Sequence, residues 1–310
     1  MSEKQFVTVS DLLGPWGESI ASGKGPEIYP HPFPVPEVCP GSIVLLGGAP
    51  GAGKTAFVMN LVVEMLRFTD TLRVLVANVE MAPETLLDRQ LARLSGIDAE
   101  TIRHRRFTDA HKERLDMATE TMGTFAPRLA FLNPPFTLEN VAASADEFGA
   151  AVIVLDYVQR IRLGGDDSEA RVGMNRVMNT LRRFAGAGIA VIVLSAVGRS
   201  KDSKGRASYA GEDLSLGSFR ESSELEFGAD DAFILAPATA KKPNPMMLKH
   251  LKCRNGALRD CEMVFDRAHQ SFELVENRGP AVPSVGLPAD VIACFGSATP
   301  ASNASRGESP

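Results

Sequence analysis

Eight consecutive residues, Gly48-Ala49-Pro50-Gly51-Ala52-Gly53-Lys54-Thr55, have the types and spacing of a phosphate loop, G-x-x-x-x-G-K-T. Glycines at these places let successive backbone N–H groups curl around a β-phosphate at the start of a helix, where the helix dipole favours an anion. Lys54 then reaches the β- and γ-phosphates, and Thr55 offers its hydroxyl to Mg²⁺. Ala56, the next residue of the helix start, counts with the loop. This reading predicts a nucleoside triphosphate as the ligand, with Mg²⁺.

Two acids close apolar runs elsewhere. Ala151-Val152-Ile153-Val154-Leu155-Asp156 is a buried type of strand ending in a carboxylate, the Walker B arrangement. At the carboxyl end of a parallel strand beside the loop, Asp156 can hold Mg²⁺ through water. Glu80 closes Arg73-Val74-Leu75-Val76-Ala77-Asn78-Val79-Glu80. A carboxylate there can face the γ-phosphate and polarise the attacking water as general base. It can equally be a helix-start acid, because Pro83 suits a first helical turn and acids favour the dipole. Spacing alone leaves these two readings even.

The loop needs a strand before it and a helix after it, and both are legible. Ser42-Ile43-Val44-Leu45-Leu46 is apolar, and Ala56 to Val63 fits a helix. From 42 onward, strand candidates at 42–46, 73–78, 129–133, 151–156 and 189–195 alternate with helix candidates near 54–67, 83–95, 138–148 and 169–185. That alternation implies right-handed crossovers, a mostly parallel sheet and helices on both faces. After 231 only strands follow, at 231–236, 246–254, 261–266 and 271–275, read as antiparallel additions at one edge. Residues 1–40 hold one short helix candidate, Val9 to Leu13, then Pro30, Pro32, Pro34, Pro36 and Pro40, which predict an arm without a regular element. Residues 41–277 form the nucleotide-binding domain in this reading, and 278–310, rich in Pro, Ser, Ala and Gly, a disordered tail.

Composition narrows the classes further. With 310 residues, 44% of them hydrophobic, the chain can bury a substantial core. Lys and Arg total 33 against 38 Asp and Glu, a net charge of −5, so any nucleic-acid contact must be a local basic patch. Cys39, Cys253, Cys261 and Cys294 show no C-x-x-C pairing and no histidine pattern, which argues against a zinc site or a disulfide framework. No apolar run approaches the roughly 18 residues that span a bilayer, and Met1-Ser2-Glu3-Lys4 begins no signal core. The expectation is a cytoplasmic protein with no membrane partner.

Five segments, in order, resemble the RecA-like motor domain of DnaB-type replicative helicases over about Gly41 to Glu276. They are the phosphate loop; Asn78-Val79-Glu80-Met81, like the family's S-L-E-M; Val154-Leu155-Asp156-Tyr157-Val158-Gln159, like V-I-D-Y-L-Q; Phe219-Arg220-Glu221-Ser222 with Ala229-Asp230, like L-R-E-S…D-A-D; and Lys252-Cys253-Arg254-Asn255-Gly256, like K-Q-R-N-G. The resemblance implies a P-loop ATPase of the RecA-like α/β fold. It further implies ATP hydrolysis coupled, in a homo-oligomeric ring usually of six, to movement along single-stranded DNA. It decides Glu80 in favour of activating water, with Asp156 supporting the metal. Lys252 and Arg254 match the pair that reaches a neighbouring subunit's nucleotide as a finger. They alternate on a strand and so project to one face, where a guanidinium would offset charge developing on the γ-phosphate.

DNA contact falls by resemblance to two loops, one at Arg160-Ile161-Arg162-Leu163-Gly164-Gly165 and one at 199–206. In the second, Arg199, Lys201, Lys204 and Arg206 stand among small residues that suit backbone phosphates, a composition shared with ordinary solvated loops. Two departures from the family matter. Ala196 stands where the family's L-S-Q has a glutamine that senses the γ-phosphate, and a methyl cannot hydrogen-bond. Only about 40 residues precede the motor, so the family's N-terminal helical domain is expected to be missing. The leading function is thus a ring-forming, DNA-dependent ATPase or helicase. The alternative is an ATP-gated assembly or regulatory protein akin to circadian-clock or recombinase relatives. A small-molecule kinase comes third, because kinases act without a neighbour's finger.

Overall fold

The computed structural model describes residues 6–162, 170–198, 200–201, 207–208, 215–219, 223–238 and 245–275. Near its start, Thr8 accepts a hydrogen bond from the Asp11 backbone while the Asp11 carboxylate returns to Thr8 N, a capping box. The helix it starts, α1 (Val9–Ala21), runs through Pro15 and is longer than the 9–13 expected from sequence. No α1 residue is buried. The proline-rich stretch has neither helix nor strand, as expected, yet Tyr29, Phe33, Val35 and Val38 are buried in the main core. The chain bends at 32–35, and its apolar side chains lie on the body.

The phosphate-loop strand β1 (Ile43–Gly48) is buried at every residue, the pattern of a strand covered on both faces. Its alternate residues divide between two cores: Val44 and Leu46 face one, Ile43 and Leu45 the other. Helices α2 (Lys54–Phe68), α3 (Pro83–Ser95), α4 (Ala99–Arg103) and α5 (Asp109–Phe125) belong to the first side of the chain's packing, and α6 (Leu138–Phe148) and α7 (Ala170–Gly186) to the second. Sequence reading missed α4 and α5. Only Ala118 and Phe125 of α5 are buried, too few to show a helical period.

The remaining elements are β2 (Val74–Asn78), β3 (Leu129–Phe131), β4 (Val152–Asp156), β5 (Ala190–Ala196), the two-residue ribbon β6 (Ser200–Lys201) with β7 (Ala207–Ser208), α8 (Ser223–Gly228), β8 (Asp231–Pro237), β9 (Pro245–Cys253), β10 (Cys261–Asp266) and β11 (Ser271–Leu274). The main sheet runs β11-β10-β9-β8-β1-β5-β4-β2-β3. Its six strands from β8 to β3 are parallel, and β9, β10 and β11 add antiparallel at one edge. The strand at 231 corrects the sequence reading: it pairs parallel with β1, Val44 opposite Asp231, and is no antiparallel addition. The crossover before it carries α8, whose six residues are too short for an apolar period to reveal. No helix among the described residues is long and apolar enough to cross a membrane.

Candidate functional site

The phosphate loop leaves β1 at the carboxyl ends of the parallel strands and enters α2 through Gly53, the helix N-cap. Gly51 and Gly53 have φ of 73° and 94°, a left-handed backbone that side chains rarely tolerate. A Cβ on Gly53 would also lie 2.8 Å from the Phe265 ring. The N-cap makes no side-chain hydrogen bond, so the first-turn N–H groups of α2 are directed at whatever anion meets the loop. Lys54 Nζ donates to the carbonyls of Gly48 (2.8 Å) and Ala49 (3.2 Å), lying along the loop. Burial pushes its ammonium below the usual lysine range, opposed by Asp156 and Glu80.

Asp156 ends β4 and Asn78 ends β2, and the two are partners in register. Thr55 Oγ1, on the first turn of α2, donates to Asp156 Oδ2 at 2.7 Å, and Asn78 Nδ2 donates to the same oxygen. Asp156 is 3% exposed, and burial raises its carboxyl to about 6 despite the Thr55 hydrogen bond and the Lys54 charge. Asn78 Oδ1 accepts from the backbone N–H groups of Glu80 (3.0 Å) and Met81 (2.8 Å), which turns the chain out of β2. Glu80 thereby lines a cleft of about 370 Å³ together with Lys54, Thr55, Asp156 and Ala196. The acid in the first turn of α3 is Glu84.

Other residues of this cleft escaped the sequence reading. Arg89, on α3, lines it, as do Phe265, Arg267 and Gln270 from the β10–β11 turn. Phe265 stacks on Phe272 with centroids 4.3 Å apart, the Arg267 guanidinium lies 5.0 Å over Phe265, and Arg267 Nη1 donates to Gly51 O at 3.1 Å. This wall reaches the loop from more than 200 positions away. The alternation Phe265-x-Arg267 was the available signal, and nothing local tied it to the loop. Asn78 lies behind the cleft, on Asp156, and the sequence shows it only within Asn78-Val79-Glu80-Met81.

Lys252 and Arg254 stand at the opposite ends of the parallel strands. Lys252 Nζ donates to the carbonyls of Glu226 (2.7 Å), Phe227 (3.0 Å) and Ala229 (2.8 Å), at the C-terminal end of α8. Arg254 Nε lies 3.2 Å from Asp230 Oδ1, with the Arg254 side chain 49% exposed. Arg182 grips both Asp230 oxygens at 2.9 Å, and Ile43 N donates to Oδ2. Against the upward push of burial, the hydrogen bonds from Arg182 and Ile43 and the charges of Arg182 and Arg254 hold the Asp230 carboxyl below its ordinary range. Ile43 and Gly48 are the two ends of β1, roughly 16 Å apart at strand rise. The fold therefore brings Lys54, Thr55, Glu80 and Asp156 together and keeps Lys252 and Arg254 away from them.

Ala196 ends β5 opposite Gly48 and lines the cleft with a methyl group. Beside it, Gln159 Nε2 donates to Ser195 Oγ at 2.7 Å. Of the residues read as DNA contacts, Arg199, Lys204 and Arg206 lie outside the described residues, and of Lys201 only the backbone, in β6, is described. In the other loop Arg160 and Arg162 are described, the latter bridging to Thr137. The tail at 278–310 also lies outside the described residues.

Sheet order, the phosphate loop and the strand-end carboxylate Asp156 beside it define a P-loop nucleotide-binding domain of the RecA-like class. The chain belongs to the family described as DnaB-like helicase C terminal domain, which matches residues 38–274. It is 24% identical over 249 residues to the replicative DNA helicase DnaC of Bacillus subtilis (strain 168), covering 76% of this chain and 53% of that protein. It is 29% identical over 202 residues to the replicative DNA helicase DnaB of Pasteurella multocida (strain Pm70), covering 62% and 41%. The chain thus spans about half or less of these curated relatives. The structure of a DnaB-like replicative helicase, solved with its interactions with primase, superposes with a TM-score of 0.76 at 20% identity, over 87% of this chain and 69% of that one.

Proposed function

We propose that this chain is the ATP-hydrolysing motor of a ring-forming, DnaB-like helicase that acts on single-stranded DNA. The observation that carries the reading is the division of the site: loop, hydroxyl and carboxylates meet in one cleft, while the two finger candidates sit at the other end of the same sheet. A cation at that end cannot serve its own loop, so completing the site needs a second copy. α1 supports such contact, with Val9, Leu12, Leu13, Trp16 and Ile20 exposed at helical spacing.

In this reading the N–H groups of residues 49–56 hold the phosphates of ATP. Lys54 leaves the carbonyls of Gly48 and Ala49 and turns to the γ-phosphate. Glu80 accepts the proton of the attacking water. Thr55 and Asp156 offer two hard oxygen ligands 2.7 Å apart, a donor set that suits Mg²⁺ shared with substrate phosphates. A Mg²⁺ ion held there by Thr55 and Asp156 would neutralise phosphate charge. A neighbour's Arg254 offsets the charge that develops on the γ-phosphate, and Lys252, holding the end of α8, braces the strand that presents it.

DNA runs along the basic loops in this proposal, with Arg199, Lys201, Lys204 and Arg206 on its phosphates. An ATP-gated assembly protein that does not move on DNA rests on Ala196 alone, and the family match does not favour it. Phosphate release measured with and without a single-stranded oligonucleotide decides between them. The expected result is stimulation by DNA that weakens with salt and is lost when those four cations are neutralised, with basal turnover kept. Hydrolysis indifferent to DNA, by a protein that stays monomeric, would overturn the proposal.

A further inference from the structure

We propose that Asn78 is a positioning residue for hydrolysis, its single amide group setting Asp156 and Glu80 relative to each other; the inference rests on the functional reading above. Asn78 is 7% exposed at the end of β2, directly beside the end of β4. Its Nδ2 donates to Asp156 Oδ2, which also receives the Thr55 hydroxyl. Both donors fall on one oxygen, which leaves Oδ1 of Asp156 without a hydrogen-bond donor among the described residues. At the other end of the amide, Oδ1 of Asn78 accepts from the Glu80 and Met81 N–H groups at 3.0 and 2.8 Å. The group that holds the metal-side carboxylate is therefore the group that turns the water-side carboxylate out of the sheet.

The amide does both at this position. It presents a donor and an acceptor at separate atoms of one rigid plane, whereas a serine, the residue of the S-L-E-M pattern, has one hydroxyl and reaches one atom less far. An aspartate would keep the two accepted hydrogen bonds, lose the donated one, and set a second carboxylate against Asp156. None of these three hydrogen bonds touches the loop glycines or Lys54. Nucleotide binding without metal should therefore not depend on Asn78, and turnover should.

The test compares Asn78→Ala, Asn78→Asp and Asn78→Ser in the full chain. It uses steady-state ATP hydrolysis, together with binding of a fluorescent ATP analogue in EDTA and in Mg²⁺. For Asn78→Ala and Asn78→Asp, kcat should fall about 100-fold with KM for ATP changed less than about twofold, and Asn78→Ser should recover about tenfold over Asn78→Ala. Affinity in EDTA should match the parent for all three, while the gain in affinity on adding Mg²⁺ should shrink about tenfold in Asn78→Asp. A kcat within twofold of the parent for Asn78→Ala and Asn78→Asp overturns the proposal. So does a loss of kcat that is matched by loss of metal-free binding and melting temperature, since Asn78 would then only fill space. A parent protein that hydrolyses no ATP defeats the functional reading instead, and the Mg²⁺-dependent binding gain then still decides for or against Asn78.

Discussion

Two carboxylates of almost equal burial, Asp156 at 3% exposure and Asp230 at 6%, stand at opposite ends of one sheet and are displaced in opposite directions. Asp156, at the loop end, is raised to about 6 by burial that two neutral donors and Lys54 do not offset. Asp230, at the far end, is held low by a bidentate Arg182, by Arg254 and by the Ile43 N–H. At the far end the charge of Asp230 is matched within the chain. The loop end leaves a buried carboxylate underneutralised beside an N-cap that no side chain fills. Such an imbalance is a cost to the fold that a bound cation and polyphosphate would relieve.

The most severe way to break this contrast is to remove the loop's own cation. Lys54→Ala should abolish detectable hydrolysis and weaken ATP binding, read by phosphate release and fluorescent-nucleotide titration, while the ion pairs around Asp230 keep the fold intact. Retained turnover would show that the loop end is not the site. Next, Arg254→Ala should lower turnover by about 10³-fold, in the range of a missing finger. Mixing it from dissociated protein with Lys54→Ala subunits should partly restore activity, because some interfaces then join an intact loop to an intact finger. Full activity of Arg254→Ala alone would break the assignment of the far end.

Smaller in effect, Glu80→Gln should slow hydrolysis about 10²-fold with nucleotide binding kept. Near-normal turnover would return Glu80 to the helix-start reading. The mildest test sharpens the carboxylate contrast itself. Asp156 has a folded-state value of about 6 against an ordinary 3.8, so between those pH values the folded form holds a proton that the unfolded chain has released. Stability from this group is therefore full below pH 3.8 and lost as pH rises through 6. Asp156→Asn, measured without nucleotide, should melt higher than the parent at pH 7, by about 3 kcal/mol, and equal to it near pH 4. Asp230→Asn should do the reverse at pH 7, melting lower by about 2 kcal/mol because Arg182 and Arg254 lose a partner; Arg182 is partly exposed, which keeps the loss below that of a fully buried pair. Shifts of the same sign in both variants would remove the distinction between the two ends.

The sequence by itself determined the phosphate loop, the strand-end acid Asp156, the acid Glu80 that follows β2, the alternation that builds a mostly parallel sheet, and the family. These are local: a loop motif needs eight neighbours, and a buried strand announces itself by an unbroken apolar run such as 152–155. What required the tertiary structure is whatever joins positions far apart in the chain. Asn78 reads as the last polar residue of a strand until register sets it beside Asp156, 78 positions on. Phe265 falls in the strand candidate 261–266 and Arg267 just past it, and neither is tied to the loop until the β10–β11 turn folds over Gly51 and Gly53. The parallel sense of β8 follows from a crossover whose only described helix is six residues long, too short to leave a period. Lys252 and Arg254 could be matched to a motif from sequence, but their distance from their own loop is set by sheet order. A chain records its local hydrogen-bonding and burial periods directly, whereas the partners of a side chain across a sheet depend on how those periods are stacked.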